Sequence, residues 1–220
     1  QEVDGVLYFA SEMKALLPIL PEIATAPDAL AEYLTFQYTL GEQTLFRGIR
    51  QVPPGHLMTV EDSQVRITRY WDVHYAIDYD HTPRWFAEQM REIMAESVAL
   101  HLRSDVPVGA YVSGGIDSSL IAALASREAA SGRVGFHGKF TDHPGYDEST
   151  FAEAAARDAG LALHQVTINA EDFRDTIGKV IYHLDQPVAG PGSFPQYMVS
   201  ALAARHVKVV LGGQGGDEIF

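Results

Sequence analysis

The stretch Val108–Ser119, VGAYVSGGIDSS, decides the fold. Val108 to Val112 is an apolar run with strand character that ends at Ser113, and Gly114 and Gly115 then form a turn whose backbone N–H groups stay open to a ligand. A helix is expected from Ile116 to Ala130. Its free first-turn amides and positive dipole end favour an anion on the turn. Ser113, Ser118 and Ser119 bring three hydroxyls to the same place. Asp117 is the exception, because a carboxylate beside phosphate is repulsive unless a divalent cation lies between them. Asp117 is therefore read as a magnesium ligand. A bare serine-glycine turn that only starts a helix is the plainer reading, and the strand–turn–helix context argues against it. A hydrolase nucleophile elbow needs glycine two residues before the serine, where Tyr111 stands.

A second glycine cluster has the same grammar. Val207–Leu211, VKVVL, reads as a short buried strand that empties into Gly212-Gly213-Gln214-Gly215-Gly216-Asp217-Glu218. In an open parallel sheet, ligands bind beyond the carboxyl ends of the strands. Two loops in that position would face one ligand from two sides, with Asp117 and Asp217 supplying the one or two carboxylates that magnesium usually takes beside phosphate oxygens and water. A flexible linker would lack the flanking buried strand.

Composition sets the outer limits. The chain has 220 residues, 46% hydrophobic and 20% charged, which is ordinary globular material for one or two domains. It contains no run long enough for a membrane span and no signal-like start. With no cysteine there is no disulfide, no cysteine-ligated zinc and no thiol nucleophile within these residues, and a cytoplasmic location is the default expectation. A formal net charge of −13 argues against nucleic acid and means that a nucleotide needs a cation to enter.

The pattern changes near Trp71–Asp80, where a domain boundary is expected between residues 1–76 and 77–220. Before it, the reading gives a strand at Gly5–Ala10, a helix Glu12–Leu17 capped by Ser11 and stopped by Pro18 and Pro21, and a helix from Pro27 to Phe36 with Leu30, Tyr33 and Leu34 on one face. Strands His56–Val60 and Val65–Tyr70 flank a turn at 61–64. After the boundary, helices and strands alternate as in a doubly covered parallel sheet. A helix opened by Thr82 and Pro83 runs to His101, with Phe86, Met90, Ile93, Met94 and Val98 inward and the Trp85, Phe86, Met90, Met94 stripe read as core. Strands near Val134–Phe140 and Leu163–Ile168 and helices Glu148–Ala159, Glu171–Leu184 and Phe194–His206 complete the pattern. His137, Asp142 and His143 are read as a solvated loop rather than a metal site. Asp147-Glu148 serve equally well as ligand groups or as acids suited to a helix start.

SGGIDSS resembles the pyrophosphate-binding SGGxDSS loop of the ATP pyrophosphatase, or PP-loop, enzymes and lacks the lysine of the kinase-type P-loop. Together with LYFASEMKALL (Leu7–Leu17), TLFRGI (Thr44–Ile49), PPGH (Pro53–His56), Tyr70-Trp71, YDES (Tyr146–Ser149) and LGGQGGDEIF (Leu211–Phe220), it is similar to the glutamine-dependent asparagine synthetase family. The resemblance implies an α/β open parallel sheet of the adenine nucleotide alpha hydrolase-like type, preceded by the α+β C-terminal part of an N-terminal-nucleophile glutaminase domain. It implies that Ser113, Gly114, Gly115, Ile116, Asp117, Ser118 and Ser119 hold the phosphates of ATP, that Asp117 and Asp217 hold Mg2+, that Gly212 and Gly213 line the nucleotide, and that adenine is touched near Gly138. The implied chemistry is adenylation of the aspartate side chain to β-aspartyl-AMP and pyrophosphate, followed by amination with glutamine-derived ammonia. Nucleic acid and membrane are not expected partners, and a homodimer is compatible. Two departures qualify this. Gln214, Gln186 and Gly190 stand where acids are common in the family, so proton transfer at Gln214 is in doubt and a different acyl substrate is admitted. Gln1 stands where the glutaminase needs a cysteine, so the expectation is a piece of a longer protein that does not hydrolyse glutamine as it stands. The alternatives are a related amide synthetase or cyclase closing a β-lactam or peptide ring, and a non-catalytic paralogue.

Overall fold

The structure is a computed structural model and describes residues 1–128, 133–142, 144–187, 190 and 192–219. The chain divides into two compact units, one made of Gln1–Ile77 with Gly178–Gly190, the other of Asp78–Ile177 with Pro191–Phe220.

The first unit is built from short local pieces. Strands β1 (Glu2–Val3) and β2 (Val6–Leu7) form a small antiparallel pair, shorter than the strand expected at Gly5–Ala10. The segment Met13–Ile19 is a 3-10 helix with Pro18 inside it, and Ser11 does not cap it. Its opening amides are satisfied from far along the chain: Met13 N and Lys14 N donate to the Asp185 carboxylate, and Lys14 Nζ pairs with the same group at 2.7 Å. Helix α1 (Pro27–Phe36) has the expected bounds, with proline preorganising its first turn. It buries Ala29, while Leu34 is 73% exposed. Strands β3 (His56–Glu61) and β4 (Gln64–Arg69) pair through a two-residue turn at Asp62 and Ser63, both at positive φ, as the twist of a tight hairpin demands.

The second unit carries the parallel sheet. Helix α2 (Pro83–His101) opens with Thr82 Oγ1 accepting from Trp85 N. Only Val98 of the expected stripe is buried. Trp85 stacks on His81 at 3.8 Å and takes Phe86 edge-on at 5.1 Å, so these rings partner one another and remain partly exposed, and Ile93 is 63% exposed. Periodicity predicts a stripe; it does not say what lies opposite.

Strand β5 (Val108–Tyr111) leads into α3 (Ile116–Arg127), then come β6 (Val134–Lys139), α4 (Ser149–Asp158), β7 (Ala162–Thr167), α5 (Ala170–Leu184, which from Gly178 onward counts with the first unit), α6 (Ser193–Ala203), β8 (Val209–Leu211) and the single turn α7 (Gly216–Ile219). The expected extension of α3 to Ala130 falls partly outside the described residues. The strand order is β7-β6-β5-β8, all pairs parallel. The chain winds outward from β5 through β6 to β7 and then returns to place β8 on the other side of β5, so winding reverses between β5 and β8. Both faces are covered. Ala110 and Val112 pack with Ala122 of α3 and Ala152 and Ala156 of α4, while Phe136 and Ile168 pack with Phe194, Val199 and Ala203 of α6. Small residues at the first interface let the helices approach the strands closely; the second is filled by larger side chains.

Candidate functional site

The reversal between β5 and β8 puts their two following loops side by side. Gly115 caps α3 from an extended conformation, and Gly114 lies at φ +98, a region that favours glycine. A Cβ on Gly114 would sit 2.9 Å from the carbonyl oxygen of Glu148, so the loop rests directly on the start of α4. From the other side, a Cβ on Gly213 would meet Ser118 N at 2.6 Å, and one on Gly216 would meet the Asp117 carboxyl carbon at 2.6 Å. The second glycine loop is thus laid backbone-first against the first turn of α3 and against Asp117.

Within the first loop the hydroxyls satisfy one another. Ser118 Oγ accepts from Ser113 N at 3.0 Å, lies 2.8 Å from Ser113 Oγ and donates to Gly115 O at 3.3 Å; Ser113 Oγ accepts from Gly115 N at 3.2 Å. Ser118 is buried and acts as a pin that shapes the turn, rather than the free donor the sequence suggests. Ser119 N donates to Gly115 O in the first turn of α3, and the Ile116 side chain is 85% exposed.

Tyr111, Ser113, Gly115, Asp117, Ser118, Gln196 and the run Gly212–Asp217 line one cavity of about 430 Å³. Asp117, Asp217, Gln214, Gly212 and Gly213 are therefore brought together, whereas Gly114, Ile116 and Ser119 shape the loop from outside the lining. Gly138 falls in a neighbouring cavity of about 170 Å³, with Tyr111, Ser113, His137, Tyr146, Glu148 and Gln196 among its walls. A Cβ at 138 would lie 2.8 Å from Ile168 Cδ1 and 2.9 Å from Val199 Cγ2, so the glycine there meets a packing demand of Ile168 and of Val199 on α6. Glu148 lines this smaller cavity. Tyr111 and Gln196, which line both cavities, were not singled out by the sequence. Tyr111 ends the same strand as the glycine motif and could have been found from its register, but no local signal marks Gln196.

The larger cavity holds two carboxylates, and none of its described walls carries a lysine, arginine or histidine. Among the described residues no hydrogen bond or ion pair engages the side-chain carboxylate of Asp117 or Asp217, and no group of three or more histidine, cysteine, aspartate or glutamate side chains converges. Two unpartnered carboxylates, with backbone packed against one of them, fit magnesium, which takes few protein ligands and keeps its remaining positions for phosphate and water.

His137 is not in a solvated loop. It is buried on β6, its Nδ1 donating to Val112 O at 2.8 Å and its Nε2 lying 3.3 Å from Ser149 Oγ. The Val112 carbonyl can only accept, which fixes the proton on Nδ1. Burial holds the imidazole below the ordinary histidine range, opposed by its bond to Val112. Ser149 Oγ and N both donate to Asp147, and that hydroxyl keeps the Asp147 carboxyl below its usual range. The carbonyl just before Ser113 is thereby tied to the buried imidazole of β6. His143 lies outside the described residues.

Comparisons with known proteins agree along the whole chain. Residues 1–71 match the glutamine amidotransferase domain, and residues 89–220 match asparagine synthase. Asparagine synthetase [glutamine-hydrolyzing] 1 of Bacillus subtilis is 32% identical over 99% of this chain and 34% of its own length. Asparagine synthetase B [glutamine-hydrolyzing] of Escherichia coli is 30% identical over 98% of the chain and 36% of its own length, and the amidase chyE of Penicillium rubens 28% over 99% and 35%. The chain thus spans about a third of the length of these curated relatives. Because the asparagine synthase match runs over more than half of the residues, from within α2 through the second glycine loop, the chain belongs to the asparagine synthase family.

Proposed function

We propose that residues 77–220 form the nucleotide-binding part of an ATP-dependent amide synthetase and that residues 1–76 are the end of the glutaminase domain that supplies it with ammonia. The observation that carries this reading is the single cavity lined by both glycine loops, with Asp117 and Asp217 in its walls and no cationic side chain among its described lining. An aspartate side-chain carboxylate attacks the α-phosphorus of ATP, the bond to the pyrophosphate oxygen breaks, and β-aspartyl-AMP forms. Ammonia then attacks the acyl carbon, AMP leaves with the C–O bonding pair, and the nitrogen loses a proton to give asparagine.

The work of this chain is positioning and electrostatics. Backbone amides of Gly212 and Gly213 and the first turn of α3 face the triphosphate, with the Ser113–Ser118 pin holding the turn in shape. Asp117 and Asp217 hold Mg2+, which supplies charge neutralisation for the departing pyrophosphate. Gln214 can hydrogen-bond but takes no proton, so the nitrogen must lose its proton elsewhere.

A second reading directs the same adenylation at a different acid, and two observations favour keeping it: the amidase relative at 28% identity, and the uncharged Gln214 and Gln196 in the cavity wall. Exchange of labelled pyrophosphate into ATP, run with aspartate and with a panel of other acids, decides between them. Aspartate-dependent exchange supports the first reading; exchange driven by another acid alone moves the assignment to the second. Absence of exchange with every acid, together with absence of ATP binding, removes both.

A further inference from the structure

Tyr111 is the last residue of β5 and lines both cavities. Its phenol oxygen lies 2.8 Å from Ser200 Oγ on α6, and Ser200 Oγ donates to the backbone carbonyl of Gln196 at 2.6 Å. A serine hydroxyl carries one proton and a backbone carbonyl carries none to give. With the Ser200 proton committed to Gln196 O, the bond between the two hydroxyls runs one way: Tyr111 donates and Ser200 accepts. The phenol proton is drawn into α6, and what remains on that oxygen is acceptor capacity. Gln196, one helical turn before Ser200, also lines both cavities and carries a carboxamide oxygen.

We infer that Tyr111, held by Ser200, is a positioning residue for the nitrogen nucleophile of the amide-forming step. The inference rests on the reading above, in which an acyl-adenylate is formed in the larger cavity. A nitrogen nucleophile attacks through its lone pair, so its N–H groups need acceptors, and a donor aimed at it would occupy the lone pair. The acceptor must also be uncharged, because a carboxylate beside the nitrogen favours the protonated, unreactive ammonium form. In the described lining the carboxylates are Asp117 and Asp217, both assigned to the metal, while Tyr111 and Gln196 offer neutral oxygens on the wall shared with the second cavity. Ser200 supplies the direction: without it, the phenol is free to turn its proton toward the nucleophile.

The test compares Y111F and S200A with the wild type in the full-length protein. Two rates are read: acid-dependent exchange of pyrophosphate into ATP, and amide formation with an ammonium salt as nitrogen source. For Y111F, kcat/KM for ammonia falls by about two- to tenfold more than the exchange rate, the range for one neutral hydrogen bond. S200A shifts the same ratio in the same direction, although it keeps the phenol. A purely structural role lowers exchange and amide formation together, and that result overturns the proposal, as does an unchanged kcat/KM for ammonia in both variants. If the wild type exchanges with no acid, the adenylation reading itself fails and this inference with it, an outcome distinct from a wild type that exchanges normally beside variants that aminate normally.

Discussion

Gly212 and Gly213 are neighbours in one loop, and the structure predicts opposite consequences for adding a single methyl to each. At Gly212 the nearest atom to a new Cβ is Tyr111 Cδ2 at 3.5 Å, an ordinary contact. At Gly213 the new atom would lie 2.6 Å from Ser118 N, 2.7 Å from the Asp117 carbonyl carbon and 2.8 Å from Asp117 Cβ, all within the first turn of α3. These cannot give way as a flexible side chain would. G213A therefore separates the two loops or displaces the turn, and overpacking of this kind costs about 1–3 kcal/mol. If the strain is relieved by opening the cavity, nucleotide affinity absorbs it, a loss of roughly 5- to 150-fold. If it is not, the melting temperature falls instead. Calorimetric titration of Mg–ATP and thermal unfolding, run on wild type, G212A and G213A, measure both routes. G212A, whose methyl makes only an ordinary contact, should melt like the wild type. The reasoning fails if G213A binds and melts like the wild type, or if G212A loses as much as G213A.

Other expectations follow from single contacts. Replacing Asp117 by asparagine should abolish the magnesium dependence of nucleotide binding while leaving thermal unfolding close to wild type; unchanged dependence in the titration would remove the metal assignment. His137 sits below its ordinary range in the folded chain, so the unfolded chain takes up its proton first, and stability should fall as pH drops below about 6.5 toward the folded value. H137N should flatten that part of the stability-against-pH curve measured by denaturant titration. The Asp185 bond raises the Lys14 ammonium above its usual range, so the pair's contribution should persist below the ordinary lysine value and disappear only as alkaline pH passes the folded one. K14M should lower the melting temperature, because it leaves the Asp185 carboxylate, only 7% exposed, without its cation, whereas R174A, at an exposed pair with Glu171, should not.

The parallel sheet was legible because its strands are short apolar runs punctuated by glycine, and β5, β6 and β7 sit within a few residues of where that pattern places them. Both glycine loops were legible for the same reason, since loops that follow strands in a doubly wound sheet must lie at its carboxyl edge. What the chain does not spell locally is who stands opposite. Asp185 caps the 3-10 helix at Met13 from 172 residues away, so Ser11, the local candidate, was the wrong cap. His137 reads as a loop residue because a histidine beside Asp142 looks solvated; its burial depends on Ser149 and the Val112 carbonyl arriving from two other elements. Leu34 and Ile93 keep the helical spacing of core residues but remain exposed, as periodicity fixes a face and not a partner.

The order of strands turns two ordinary loops into one site. Had β8 joined the sheet beyond β7, its glycines would still follow a strand and Asp217 would still be acidic, yet β6 and β7 would both stand between that loop and Asp117. Insertion next to β5, with Ala110 registered against Leu211, brings Gly213 onto Ser118 and Gly216 onto the Asp117 carboxylate. Two carboxylates confined to one cavity repel each other, and in a chain of net charge −13 there is little distant positive charge to offset this. A lysine in the wall would relieve the repulsion permanently and would hold phosphate whether or not a metal came with it. On the proposed reading, its absence among the described lining residues leaves the attraction for a polyphosphate to the loop amides and to a divalent cation arriving with the nucleotide.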